Sequence, residues 1–241
     1  EHPTQGLLDA LTIAEAHGRL DGFDLSGLTV AIVGDVANSR VARSGIAGLT
    51  TLLAKVVCVG PPAFVPRGLE SLGCTVSHEF DAVLPKADAV MMLRIQFERH
   101  GTDAESKPAA PGAVRPTSIA SLREYREMYG MTDERAARIR KNAIIMHPGP
   151  MNRGLEIDPA VADGPRSMVL KQVANGVAVR MAVLGLILGS GQPRMEGPEV
   201  QAGQNRQEAA GAGPVPAPAG TFGLAEWLAE RDAPCPACGY N

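Results

Sequence analysis

Residues 28–33 form an apolar, largely β-branched run that stops abruptly at Gly34-Asp35. A run without polar alternation suits a strand buried on both faces, which requires helices above and below a parallel sheet. The pattern recurs. Residues 55–59 are broken by Gly60-Pro61-Pro62, and residues 74–77, 89–93 and 143–146 read as three further strands. Helical spacing fills the intervals. Leu7, Leu8, Leu11, Ile13 and Ala14 predict a helix from Thr4 to near Gly18. Asn38 or Ser39 offers a cap for a helix running through Leu53. A short helix is predicted over 68–72, and a pair over 121–129 and 132–140. The fold class is therefore α/β: a doubly wound, mostly parallel sheet with helices on both faces.

In such sheets ligands bind beyond the carboxyl ends of the strands. Residues 34–40, 94–99 and 147–153 fall there. Arg94 ends an otherwise apolar strand, where a guanidinium fork can grip a carboxylate bidentately. His147-Pro148-Gly149-Pro150 is a rigid turn and a candidate for a cis bond before Pro150. His2, Arg40 and Arg43 have ordinary readings as an end residue and surface charges. The turn after the first strand lacks the glycines of GxGxxG, which argues against a dinucleotide. Between the fourth and fifth strands, residues 96–118 form a long polar excursion, a length usually associated with function or mobility.

Leu170, Val173, Val177, Met181, Leu184 and Leu188 mark a long helix over 167–189, apolar enough around its cylinder to be covered on more than one side. Beyond Gly189 a Gly-, Pro- and Ala-rich linker runs through Gly220, and residues 224–229 carry the single Trp in a short amphipathic stretch. Cys235 and Cys238 have the spacing of half a zinc knuckle, but no second pair lies within reach, so the bland reading is a frayed terminus and no metal. Cys58 and Cys74 sit in strand-like runs and read as buried thiols in a reducing, cytoplasmic setting. A net charge of -3 gives no reason to expect nucleic acid or an anionic membrane as partner. The apolar run 181–188 is short of a membrane span, and no signal peptide is legible. The chain opens on Glu1-His2-Pro3-Thr4-Gln5 without an initiator Met, which reads as a fragment or a trimmed chain.

Taken in order, four segments resemble those of the aspartate branch of the aspartate/ornithine carbamoyltransferase family. His2-Pro3-Thr4-Gln5 resembles its HPTQ, and Gly34-Asp35 with Ser39-Arg40-Val41-Ala42-Arg43-Ser44 resembles its GDxxxSRVARS. Arg94-Ile95-Gln96-Phe97-Glu98-Arg99 resembles RxQxER, and His147-Pro148-Gly149-Pro150-Met151-Asn152-Arg153-Gly154 resembles HPxPxNRG. The likeness spans about residues 1 to 190. The ornithine branch carries a cysteine in its HCLP turn and no RxQxER; here that turn holds Pro148.

The resemblance implies attack of the L-aspartate amine on the carbonyl of carbamoyl phosphate, with release of phosphate. It implies His2 as a catalytic donor to the carbonyl oxygen. It assigns carbamoyl phosphate contacts to His2, Gln5, Pro148, Gly149 and Pro150, and aspartate contacts to Arg40, Arg94 and Gln96. No metal or organic cofactor is implied. The family's phosphate cradle, a Ser-Thr-Arg-Thr segment in a preceding domain, has no counterpart in this sequence, nor does its cross-subunit lysine. The implied organisation is an interdomain helix over 1–18, an aspartate-binding α/β domain over 19–165, a long return helix over 166–190 that crosses to the preceding domain and so is expected to expose apolar surface here, and a disordered linker and tail over 191–241. A homotrimer is implied as assembly, with a regulatory chain or a dihydroorotase admitted as partner. The alternative is a non-catalytic, transferase-like scaffold or anion-binding domain.

Overall fold

The computed structural model describes residues 1–95 and 122–188. Gln96, the excursion over 96–118 and the linker and tail with Cys235 and Cys238 lie outside the described residues. The chain divides into two units, Glu1–Val179 and Arg180–Asn241. What is described of the second is Arg180–Leu188, chiefly the end of a helix begun in the first.

Five strands form one sheet: β1 (Thr29–Val33), β2 (Lys55–Val59), β3 (Thr75–Ser77), β4 (Ala89–Met92) and β5 (Ile144–Met146). They pair in parallel in the order β3-β2-β1-β4-β5. The predicted class and strand order along the chain are as read from the sequence. β1 from Val30 onward and β4 throughout are buried, as central strands covered on both faces must be. Helix α1 (Pro3–Ala16) packs on α2 (Arg40–Thr51), and both cover the β1–β2 region. Ser39 is the cap foreseen for α2, its hydroxyl accepting the Ala42 N–H at 3.1 Å. After β3 come a short helix α3 (Phe80–Val83) and a 3-10 turn, neither of which the sequence reading anticipated. Helices α4 (Leu122–Tyr129) and α5 (Asp133–Arg138) return the chain to β5, α5 stopping short because Ile139 is extended. A short α6 (Pro159–Ala162) precedes the long α7 (Val169–Ile187).

The chain runs from β1 outward through β2 to β3, then returns to β4 on the other side of β1. The two strands therefore diverge in their connections at their carboxyl ends, and residues that follow them, Asp35, Ser39 to Val41 and Leu93-Arg94, line a crevice there. Gly34 is required there on two counts. Its φ is +126°, and a Cβ would stand 3.1 Å from the Leu93 Cβ.

Helix α7 departs from the cover on more than one side that its composition suggests and agrees with the exposed apolar surface that the resemblance implies. Its buried residues are Gln172, Asn175 and Gly176, whereas Leu170, Val173 and Val177 are exposed. Among the described residues, its contacts to α1 are polar. Gln172 Nε2 donates to Asp9 Oδ1 at 2.8 Å, and Asn175 Nδ2 donates to Thr12 Oγ1 and Glu15 Oε2. Lys171 pairs with Glu15 at 2.7 Å. The helix is also longer than the apolar run 181–188 weighed above: at 19 residues and mean hydropathy 1.3 it has the length and composition of a membrane span. Arg180 within it and the polar residues bonded to α1 argue for a helix docked on protein instead.

The α1–α2 contact depends on Gly6, where a Cβ would meet the Ser44 carbonyl oxygen at 2.8 Å. Backbone cannot yield as a side chain can, so Gly6→Ala is expected to cost about 1–3 kcal/mol. Urea unfolding of the two chains measures this, and an unchanged midpoint would show that α1 shifts freely on α2.

Candidate functional site

Three segments converge on the crevice. The first is the start of α1. His2 caps it without a side-chain hydrogen bond of its own to the cap, while its backbone N–H donates to Ser44 Oγ at 2.8 Å. Ser44 in turn donates to Glu1 Oε2 at 2.7 Å, so the amino-terminal residues are held against α2. Gln5 follows one turn into the helix and is buried. The second segment is the turn between β1 and α2. Asp35 is buried and accepts both the Asn38 N–H and its side-chain amide, the latter at 2.9 Å. This fixes the turn that delivers Ser39 and Arg40 to the first turn of α2, an end of the helix that favours anions.

The third segment follows β5. The His147 N–H donates to Gln172 Oε1 at 2.9 Å, and the Gly149 N–H donates to His147 Nδ1 at 2.9 Å. The Gly149-Pro150 bond is cis, as the sequence led us to expect. His147 Nε2 lies 3.4 Å from Glu156 Oε1, with both side chains fully buried. Glu156 also accepts the Asn152 N–H, and Asn152 Nδ2 donates to the Ile95 carbonyl beyond β4. The turn is thereby anchored to the strand end that carries Arg94.

Together with the residues that end β4, these segments line a cavity of about 290 Å³. His2 and Gln5, Asp35, Ser39, Arg40 and Val41, Leu93 and Arg94, and Pro148 to Pro150 line it. Every sequence-predicted site residue that is described lines this cavity. Gln96 lies outside the described residues. Arg43 and Arg153 turn elsewhere: Arg43 donates to the Ala37 carbonyl, and Arg153 pairs with exposed Asp163, which holds that carboxyl below its ordinary range. Among the described residues no cluster of His, Cys, Asp and Glu could hold a metal ion. The wall thus presents two guanidiniums, an imidazole, an amide and a proline-bounded turn, which suits a small polyanion rather than a cation or a planar cofactor.

Sequence reasoning missed Asp35, Ser39, Val41 and Leu93 as lining residues. Asp35, Ser39 and Val41 enter the sequence reading as parts of a motif, and Ser39 also as a helix cap. It also missed the supporting layer of Asp9, Glu156 and Gln172. An acid inside an apolar helix was a usable signal for Asp9, four residues after Gln5. Nothing local marks Gln172, whose partner is distant in the sequence.

Residues 26–187 match the family described as Aspartate/ornithine carbamoyltransferase, Asp/Orn binding domain. The chain belongs to this family. It is 53% identical to the aspartate carbamoyltransferase catalytic subunit of Acidothermus cellulolyticus over 82% of its own length and 55% of that protein's. Among solved structures it resembles the ornithine carbamoyltransferase of Thermus thermophilus, with a TM-score of 0.60, 25% identity, and coverage of 78% of this chain and 56% of that one. It also resembles the aspartate transcarbamoylase of Trypanosoma cruzi in complex with aspartate and phosphate, with a TM-score of 0.56, 27% identity, and coverage of 76% and 56%. The chain spans about half the length of the relatives it matches.

The arrangement predicts weak binding of a small dicarboxylate by this chain. Succinate is expected to shift the backbone NMR resonances of Arg40, Arg94 and Gly149 together. Added salt should weaken the effect, because the arginines act by charge from a solvent-open wall. Shifts at one residue alone would mean that the two guanidiniums do not share a ligand.

Proposed function

We propose that this chain is the aspartate-binding half of an aspartate carbamoyltransferase, which transfers the carbamoyl group of carbamoyl phosphate to the amine of L-aspartate. The observation that carries the reading is the cavity itself. It gathers the His2 and Gln5 segment, Arg40, Arg94 and the 148–150 turn from four separate stretches of sequence. The amine nitrogen bonds to the carbamoyl carbon, the carbon–oxygen bond to phosphate breaks, and the amine loses a proton. His2 supplies a donor toward the carbonyl oxygen as negative charge develops there. Gln5 and the carbonyls of the 148–150 turn hold the carbamoyl NH₂. Arg40 and Arg94 grip the two carboxylates of aspartate, with Gln96 assisting. Catalysis on this reading is mainly positioning, which can supply roughly 7–11 kcal/mol.

Aspartate is favoured over ornithine by two arginines at the cavity wall and by Pro148 in the turn. The Acidothermus relative bears the aspartate name. Its designation as a catalytic subunit supports an assembly, for which we propose a homotrimer. The buried free thiols of Cys58 and Cys74 support a reducing compartment such as the cytoplasm.

Two measurements test the reading. Alone, the chain is expected to form no carbamoyl-aspartate, because each missing electrostatic donor at the phosphate costs ~10²–10³ in rate. Mixed with the amino-terminal half of the Acidothermus relative, it should turn over. Turnover by the chain alone would show an unrecognised phosphate site, and none in the mixture would favour the scaffold or anion-binding alternative. In the active mixture, Arg94→Lys should impair aspartate use by about 1.5–3 kcal/mol while leaving carbamoyl phosphate use nearly intact. Unchanged aspartate kinetics would remove Arg94 from the site.

A further inference from the structure

Asp9 is the most deeply buried acid of α1, at 0% exposure, and it stands one turn below Gln5. A single oxygen, Oδ1, accepts from Gln5 Nε2 at 2.9 Å and from Gln172 Nε2 at 2.8 Å. The other oxygen, Oδ2, is buried with no hydrogen-bond partner among the described residues. Gln172 passes the link onward, its Oε1 accepting the His147 N–H at 2.9 Å. One carboxyl therefore touches both the α1 wall of the cavity and, through one amide, the turn that forms the opposite wall.

An amide side chain has a donor end and an acceptor end that are nearly equal in shape, so its hydrogen-bond partners decide which end points where. Oδ1 can only accept. It draws Nε2 of Gln5 inward and leaves the Gln5 carbonyl oxygen as the end available to the cavity. By the same logic it draws Nε2 of Gln172 inward and presents the Gln172 carbonyl oxygen to the His147 N–H.

We propose that Asp9 is a positioning residue that fixes the orientation of both amides, so that Gln5 meets the cavity as a hydrogen-bond acceptor and the turn after His147 is held to the same anchor. The ligand feature recognised is an N–H donor such as the carbamoyl NH₂, so the functional half of this inference rests on the proposed reaction. The structural half does not.

Burial raises the Asp9 carboxyl to about 7, against the lowering effect of the two amide bonds. Its hydrogen-bond partners are two neutral amides. Of the charged groups on the elements packed together here, Glu15 of α1 pairs with Lys171 of α7, Arg40 and Arg43 lie on α2, and His147 follows β5 and stands against Glu156. A carboxyl raised in the folded state binds a proton that the unfolded chain has released. Stability therefore falls as pH rises between about 4 and about 7, then levels off. Protonation at Oδ2 leaves Oδ1 free to accept both amides, so the acceptor role survives across this window.

The test uses the 241-residue chain and its Asp9→Asn and Asp9→Leu variants. Asparagine keeps an acceptor oxygen and places its NH₂ where Oδ2 stood, whereas leucine removes both. By ¹⁵N NMR, the side-chain amides of Gln5 and Gln172 should exchange slowly with solvent in the wild type and titrate together with a midpoint near about 7. This measurement needs no variant, and freely exchanging amides would overturn the proposal even if Asp9→Leu fails to fold. In Asp9→Asn both amides should remain protected and the pH-dependent loss of stability should vanish.

In the active mixture described above, Asp9→Leu should raise KM for carbamoyl phosphate about tenfold, the order expected for one lost hydrogen bond. KM for aspartate should stay within about twofold, and Asp9→Asn should restore KM for carbamoyl phosphate. A wild-type KM in Asp9→Leu, or an equal defect in both variants, would overturn the positioning role while leaving the proposed reaction standing. Should the wild-type mixture show no turnover, the reaction fails and the NMR titration alone decides the inference.

Discussion

The site depends on where the sheet reverses. β1 and β4 are neighbours in register, with Val33 opposite Met92, yet their chains leave in opposite directions. The Leu93 N–H still donates to the Val33 carbonyl at 2.8 Å, while the Gly34 N–H turns to the Val59 carbonyl of β2 at 2.9 Å. Hydrogen bonding thus continues through the ends of the strands, and the cavity opens just beyond them. The missing Cβ of Gly34 lets Leu93 approach, and Arg94 then emerges beside the turn that carries Arg40. A reversal elsewhere in the sheet would separate these arginines.

Around that cavity, buried carboxylates organise the walls. Asp35 takes the donors of Asn38 and shapes the entry to α2. Glu156 takes the Asn152 N–H and stands against His147, holding the proline-rich turn to the end of β4. Asp9 joins Gln5 to Gln172. These bonds run to amide and backbone donors, and the one from Gln172 ties α7 to α1. Burying acids on amide and backbone donors costs less than burying them unpaired, and each such bond adds direction as well as energy.

Much of this was legible in the sequence. Continuous β-branched runs gave the strands, because a strand covered on both faces has no polar side to show. Arg94 stood out because an arginine closing an apolar strand must face an opening. Arg40, Gln5 and His2 gained meaning only through motif resemblance, since each alone has an ordinary surface reading. For α7 the composition suggests cover on several sides and the family resemblance suggests exposed apolar surface. The exposure is what is found, while its contact with α1 is made by Gln172, Asn175 and Lys171, which no local pattern marks. Composition reports how much apolar surface a helix carries, not which face meets protein. The Asp9 link was out of reach for another reason: its partners are an (i, i+4) neighbour and a residue 163 positions along the chain, and only the second reveals what the first is for.

The docking of α7 through polar groups has a thermal consequence. Heat capacity rises on unfolding mainly when apolar surface becomes hydrated. Leu170, Val173 and Val177 are already exposed, so releasing residues 169–179 from α1 hydrates little new apolar area. Such a release is nearly silent in heat capacity and in the denaturant dependence that tracks exposed surface. Its free energy is set by exchanging amide and carboxyl hydrogen bonds for water, and temperature changes that exchange only gently. The segment is therefore governed by protonation and solvent composition, while the sheet beneath it follows the curved thermal response of an apolar core.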